Sequence, residues 1–142
     1  MSSPASDFKT LQWRKLLLNA VANPITALTR QRLVVFRRDD MRELCLALLD
    51  EAVKVARADG AHFADDEAAT IFATLMSYPT DVSTSMYFDN LEGRPLEVGV
   101  LSGAIVEAGE RYSIPTPINR TLATLLQSIS DAARDQPIEP RK

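Results

Sequence analysis

Apolar residues recur along this chain mainly at spacings of three and four, and no run alternates polar with β-branched positions. The pattern predicts an all-α fold, a compact bundle of about six to seven helices. A first helix is expected to begin near Asp7, which can cap it, and to run through Trp13 and Leu16-Leu17-Leu18 to about Ala22. Asn23-Pro24 then reads as a break, with Asn as cap and Pro in the first position of a short second helix through Ile25 and Leu28. Residues 30–38 read as irregular and basic, and Val34-Val35-Phe36 as a turn or a very short extended piece.

The clearest helix is expected after Asp39 or Asp40 as cap, with Met41, Leu44, Leu48, Ala52, Val55 and Ala56 on one stripe and Gly60 as its stop. Asp65-Asp66-Glu67 place negative charge where a helix start favours it, ahead of Ile71, Phe72, Leu75 and Met76, and Pro79 closes that element. A short helix over Ser83 to Leu91 follows. A longer one is predicted from Pro95 or Leu96, carrying Val98, Leu101, Ile105 and Ala108 inward and stopping by Tyr112-Ser113. Pro115 and Pro117 separate it from a last helix of about Ile118 to Arg134. This divides the chain into a flexible N-terminal segment, 1–9, a helical domain of substrate-binding or catalytic type, 10–134, and a disordered tail, 135–142.

Composition narrows the function classes. The chain has 142 residues, a size suited to one core, with 46% apolar and 25% charged residues and a net charge of −3. The mild acidity argues against a nucleic-acid binder, which needs a clustered basic surface. No apolar run reaches the roughly 18–20 residues of a membrane span, so no membrane partner is expected. A single cysteine, Cys45, and a single histidine, His62, leave no internal disulfide and no zinc site of the usual Cys/His kind. No metal is expected, and the start lacks the charged and apolar regions of a signal peptide, so a reducing, cytoplasmic setting is the natural reading. The five glycines never form a phosphate-cradling loop.

The sharpest chemical question lies on the first helix. Lys15, Asn19 and Asn23 fall at i, i+4 and i+8, drifting by only about 40° per step around a helix, so they form one polar stripe in an apolar stretch. Buried amides without partners cost about 1–3 kcal/mol each, so the stripe faces either an internal hydrogen-bond network or a wet cleft. Glu97, between Leu96 and Val98, is either a helix-start charge or a partnered carboxylate. Ser83, Thr84 and Ser85 follow a proline-marked turn, where capping accounts for at least one of them and is compatible with a ligand role for the others. His62 reads as an exposed bystander, Cys45 as a small core residue, and Arg30, Arg32, Arg37, Arg38 and Arg42 as a solvated cluster paired with nearby acids, with phosphate or partner binding as the alternative.

The run Trp13-Arg14-Lys15-Leu16-x-x-Asn19-x-x-x-Asn23-Pro24, followed by Thr26-Ala27-Leu28, resembles the opening of the C-terminal helical domain of ketopantoate reductases. Thr84-Ser85-Met86 with Asp89, then Glu97, Gly103 and Thr116-Pro117-x-Asn119, follow that family's pattern in order. The resemblance covers about residues 10 to 127. It implies that Lys15 is a general acid for NADPH-dependent reduction of a 2-keto acid in pantothenate biosynthesis. It also implies that Asn19 and Asn23 hold substrate and orient the lysine, and that Ser85 and Glu97 bind substrate. Gly99, Ser102 and Ser113 depart from the pattern, standing where an acidic residue, an asparagine and a glycine are usual. The family's nucleotide-binding domain would precede Trp13, yet only twelve residues do so here.

Three readings follow. The first is the helical half of a ketopantoate-reductase-like oxidoreductase, either a truncated chain or one subunit of a split protein with a nucleotide-binding partner chain, and not binding NADPH tightly by itself. The second is a free-standing domain turned to cofactor-independent acid/base chemistry, such as isomerisation or cyclisation, in a biosynthetic pathway. The third is a non-catalytic module that forms a homodimer.

Overall fold

The computed structural model describes residues 4–135 and contains, among those residues, six α-helices, one 3-10 turn and no strand. The helices are α1 (Pro4–Thr29), α2 (Asp39–Ala58), α3 (Glu67–Met76), α4 (Ser85–Leu91), α5 (Ser102–Arg111) and α6 (Pro117–Asp135), and the 3-10 turn is Leu33–Arg37. The all-α expectation is met. Residues 1–3 of the N-terminal segment and all of the 135–142 tail but Asp135 lie outside the described residues.

Helix α1 is the spine, touching α2, α3, α4, α6 and the 3-10 turn, while α2 packs on α1, α3, α5 and α6. Leu17, Val21, Leu48, Leu49, Val55, Ile105 and Leu126 bring these elements into one core. On α2 the inward stripe is rotated from the expected one: Cys45 is fully buried and Leu44 is 37% exposed. Its N-cap falls on Arg38, and Asp39 and Asp40 occupy the first turn without capping it. Gly60, at φ +106, supplies the stop after α2.

Two boundaries differ from the sequence reading. No break occurs at Asn23-Pro24; α1 begins at Pro4 and continues to Thr29 with Pro24 inside it. An interior proline removes one helical hydrogen bond, leaving the Ala20 carbonyl without its usual donor. Pro24 is fully buried, and the following turn is held by tertiary bonds, chiefly Asn90 Nδ2 to the Ala27 carbonyl at 2.8 Å. The second difference is α5, which starts at Ser102 and not near Pro95. The preceding loop is pinned to α6, because Ser130 Oγ accepts the Leu96 N–H at 2.8 Å and donates to the Leu96 carbonyl at 3.2 Å. Both polar groups of Leu96 are thus engaged by a side chain and not by a helical turn.

Candidate functional site

Asn19 and Asn23 project from α1 into a pocket of ≈ 380 Å³ whose far wall carries Ser83, Thr84 and Ser85 at the start of α4. Leu33, Leu75, Tyr78 and Val82 supply apolar surface between these walls. Two backbone bonds hold that side together, Leu33 N to the Val82 carbonyl at 2.9 Å and Val34 N to the Thr80 carbonyl at 3.1 Å. Both asparagines are half-buried, and neither side chain has a hydrogen-bond partner among the described residues. Of the two environments open to the polar stripe, Asn19 and Asn23 therefore occupy the wet cleft.

Lys15 lies one turn before Asn19 on the same stripe; it is exposed, does not line the pocket, and makes no ion pair among the described residues. Ser85 is exposed at the rim. Glu97 is exposed in the loop between α4 and α5, also outside the pocket lining, and its expected position at a helix start is not found because α5 begins five residues later. The structure thus joins Asn19, Asn23 and Ser85 round one pocket and leaves Lys15 and Glu97 beyond its wall.

Among the three hydroxyls, Thr84 is the cap: its Oγ1 accepts the Tyr87 N–H at 3.2 Å. Ser83 Oγ is shielded from solvent and has no hydrogen-bond partner among the described residues. The apolar lining from Leu33 and Leu75 was not legible as part of a site, since Leu75 follows an ordinary core spacing and Leu33 lies in the stretch read as irregular. Thr26, part of the quoted run, carries a role no spacing suggests, bonding across to Thr84 at 2.7 Å.

A larger depression of ≈ 470 Å³ lies between α5 and α6. Four of its polar side chains are paired, Arg120 with Glu110 at 2.6 Å and Gln127 with Asp131 at 2.8 Å, and none of Lys15, Asn19, Asn23, Ser85 and Glu97 lines it. The arginine cluster behaves as a solvated face. Arg38 pairs with Asp40, Arg37 donates to the Met76 carbonyl, and Arg32 donates to the Asp81 carbonyl while lying over the Tyr87 and Phe88 rings. His62 is exposed. Cys45 is a core residue whose thiol is pushed up to about 12 by burial, so it stays protonated and unreactive. Among the described residues no group of His, Cys, Asp or Glu is arranged to hold a metal ion, and no helix is long and apolar enough to cross a membrane.

Thr116-Pro117-x-Asn119 proves architectural. The Glu51 carboxylate accepts the N–H groups of Ile118 and Asn119 at 2.9 and 3.1 Å and the Asn119 side-chain amide at 2.9 Å, closing the open N-terminus of α6 from α2.

Residues 7–130 match the family model described as Ketopantoate reductase PanE/ApbA C terminal. The chain belongs to the ketopantoate reductase family. Among curated relatives, the 2-dehydropantoate 2-reductase of Mycobacterium tuberculosis is 40% identical over 125 residues, covering 88% of this chain and 42% of the relative. The enzyme of the same name from Caulobacter vibrioides is 30% identical, covering 86% of this chain and 42% of its own length. The dimeric ketopantoate reductase from Staphylococcus aureus superposes with a TM-score of 0.84 at 32% identity, over 89% of this chain and 44% of that one. This chain of the ketopantoate reductase family therefore spans less than half the length of such relatives.

Proposed function

We propose that this chain supplies the substrate-binding half of an NADPH-dependent 2-keto acid reductase, with Lys15 as general acid and Asn19, Asn23, Ser85 and Glu97 as substrate ligands. The observation that carries the reading is the convergence of Asn19 and Asn23 from α1 with Ser85 from α4 on one pocket, with Lys15 one turn along the same stripe.

The residues present do not fit the dinucleotide itself. Gly60 and Gly93, at positive φ, serve turns, Gly109 lies against the Ile114 carbonyl within a packed helix end, and no strand leads into a helix among the described residues. A dinucleotide held outside this chain would supply the hydride. The part of this chain is on the substrate side. Charge develops on the keto oxygen as its carbon is reduced, and the Lys15 ammonium gives that oxygen a proton, forming the hydroxyl. The amides of Asn19 and Asn23 offer fixed dipoles that need not reorganise, and the hydroxyl of Ser85 can donate to a substrate carboxylate. The apolar wall excludes water from one side of the ligand. A cytoplasmic setting suits a chain whose one thiol is buried and unpaired.

The test is a pair of measurements. NADPH titrated into the chain alone should give no sub-micromolar binding, and reduction of a 2-keto acid should appear only when the nucleotide-binding domain that the resemblance implies is added. Tight NADPH binding by the chain alone would contradict the division of labour.

A further inference from the structure

Four contacts converge on two hydroxyls between α1 and α4. Thr26 Oγ1 lies 2.7 Å from the Ala22 carbonyl, 3.2 Å from the Asn23 carbonyl and 2.7 Å from Thr84 Oγ1, and Thr84 Oγ1 lies 3.2 Å from the Tyr87 nitrogen. Three protons serve them, one on each hydroxyl and one on the amide. Carbonyls only accept, so the Thr26 proton goes to the carbonyl side, chiefly to the nearer Ala22 and secondarily to Asn23. The Thr84 proton must then go to Thr26, and the Tyr87 N–H goes to Thr84. The two carbonyls share one proton, and the direction of both hydroxyls is set.

The location gives the chain of bonds its consequence. Thr26 follows Asn23 by one helical turn, and Thr84 directly precedes Ser85. Pro24 deprives the Ala20 carbonyl of its helical donor in the same turn, so α1 is intrinsically weakest between the two asparagines. Thr26 is fully buried, and a hydroxyl stripped of water here is retained only if its bonds are made. Asn90, on α4, adds a second tie through the Ala27 carbonyl at 2.8 Å, so α1 and α4 are joined by two polar contacts.

We infer that the Thr26–Thr84 hydroxyl pair is a positioning device that sets the separation of the Asn23 wall from the Ser85 wall, and with it the fit of the substrate. This rests on the reading of the pocket as a substrate site. Thr26 lies outside the pocket lining, and Thr84 lines it with a hydroxyl already engaged by Thr26 and the Tyr87 N–H. Thr84 also caps α4, so Thr26 is the cleaner handle, because Thr26→Val keeps shape and volume and leaves the cap in place.

The chain is assayed with its nucleotide-binding partner on a 2-keto acid, beside a Lys15→Ala control. Thr26→Val should raise KM by about five-fold, the size of one misplaced hydrogen bond, with kcat within about two-fold of the parent. Thr26→Ser, which restores the hydroxyl, should return KM to the parent value. An unchanged KM in Thr26→Val, alongside a lowered Tm, would make the pair a stability feature only and overturn the inference. If Lys15→Ala retains full turnover, the reading of the site fails instead. A crystal structure of Thr26→Val alone then carries the test: a widened Asn23 to Ser85 Cα separation upholds the positioning, and an unchanged one overturns it.

Discussion

The indole Nε1 of Trp13 donates to the Asp59 carboxylate at 2.8 Å, joining α1 to the end of α2 across 46 residues of sequence. The Tyr112 hydroxyl, just beyond α5, donates to the other carboxylate oxygen, and Lys9 and Arg111 stand 3.8 and 3.9 Å away. One carboxylate therefore ties three helices at the end of the bundle. Partial burial opposes its ionisation, but the hydrogen bonds from Tyr112 and Trp13, with the two cations, outweigh that and hold its pKa below the usual carboxylate value.

A lowered folded pKa means that Asp59 contributes stability above the ordinary carboxylate range, and that this contribution is lost as pH falls through the folded value. Asp59→Asn should flatten the acid limb of the stability profile. Asp59→Ala, which leaves the indole and the phenol without their charged acceptor, should cost about 2 kcal/mol near neutral pH. Urea unfolding followed by the fluorescence of Trp13, the sole tryptophan, measures both. A Asp59→Asn profile parallel to the parent's in acid would contradict the account.

Ser113 stands at φ +58 immediately after α5, with its N–H on the Glu110 carbonyl and the Ile114 N–H on the Gly109 carbonyl at 2.8 Å. This is the left-handed closing turn that glycine serves best. The departure noted at this position is thus a strained one. Ser113→Gly should stabilise by about 0.5–1 kcal/mol, the relief of the left-handed cost less the added entropy of the unfolded chain. Thermal unfolding should show a higher Tm, with substrate KM unchanged.

Glu51 closes α6 with no help from α6 itself. Glu51→Ala should destabilise by about 2 kcal/mol, because two backbone N–H groups and the buried Asn119 amide lose one shared acceptor. Glu51→Gln, which keeps an oxygen, should recover part of the loss. Equal stability of all three proteins in urea would show that water replaces the carboxylate.

These bonds mark what could be read in the sequence and what could not. Helices α2, α3, α4 and α6 were legible because their apolar spacing, Gly60 and the flanking prolines are local signals. The uninterrupted α1 was not, because the proline rule is local while the burial of Pro24 and the Asn90 tie to Ala27 are tertiary. The loop before α5 misled for a related reason. Val98, Leu101 and Ile105 keep a helical spacing, but Ser130, 34 residues beyond Leu96, captures the backbone that would have started the turn. In the site, the polar stripe of α1 announced itself by spacing within one element. Its meeting with Ser85 came from the resemblance, and the Thr26 bond to Thr84, 58 residues away, had no signal in spacing at all.

The most direct measurement on the central claim is the steady-state reduction of a 2-keto acid by Lys15→Ala, assembled with the nucleotide-binding part and compared with the parent assembly. General-acid catalysis predicts a fall in kcat of about 10²–10⁴-fold, with folding intact by Trp13 fluorescence. A kcat within a few-fold of the parent would contradict the assignment of Lys15 as the proton donor.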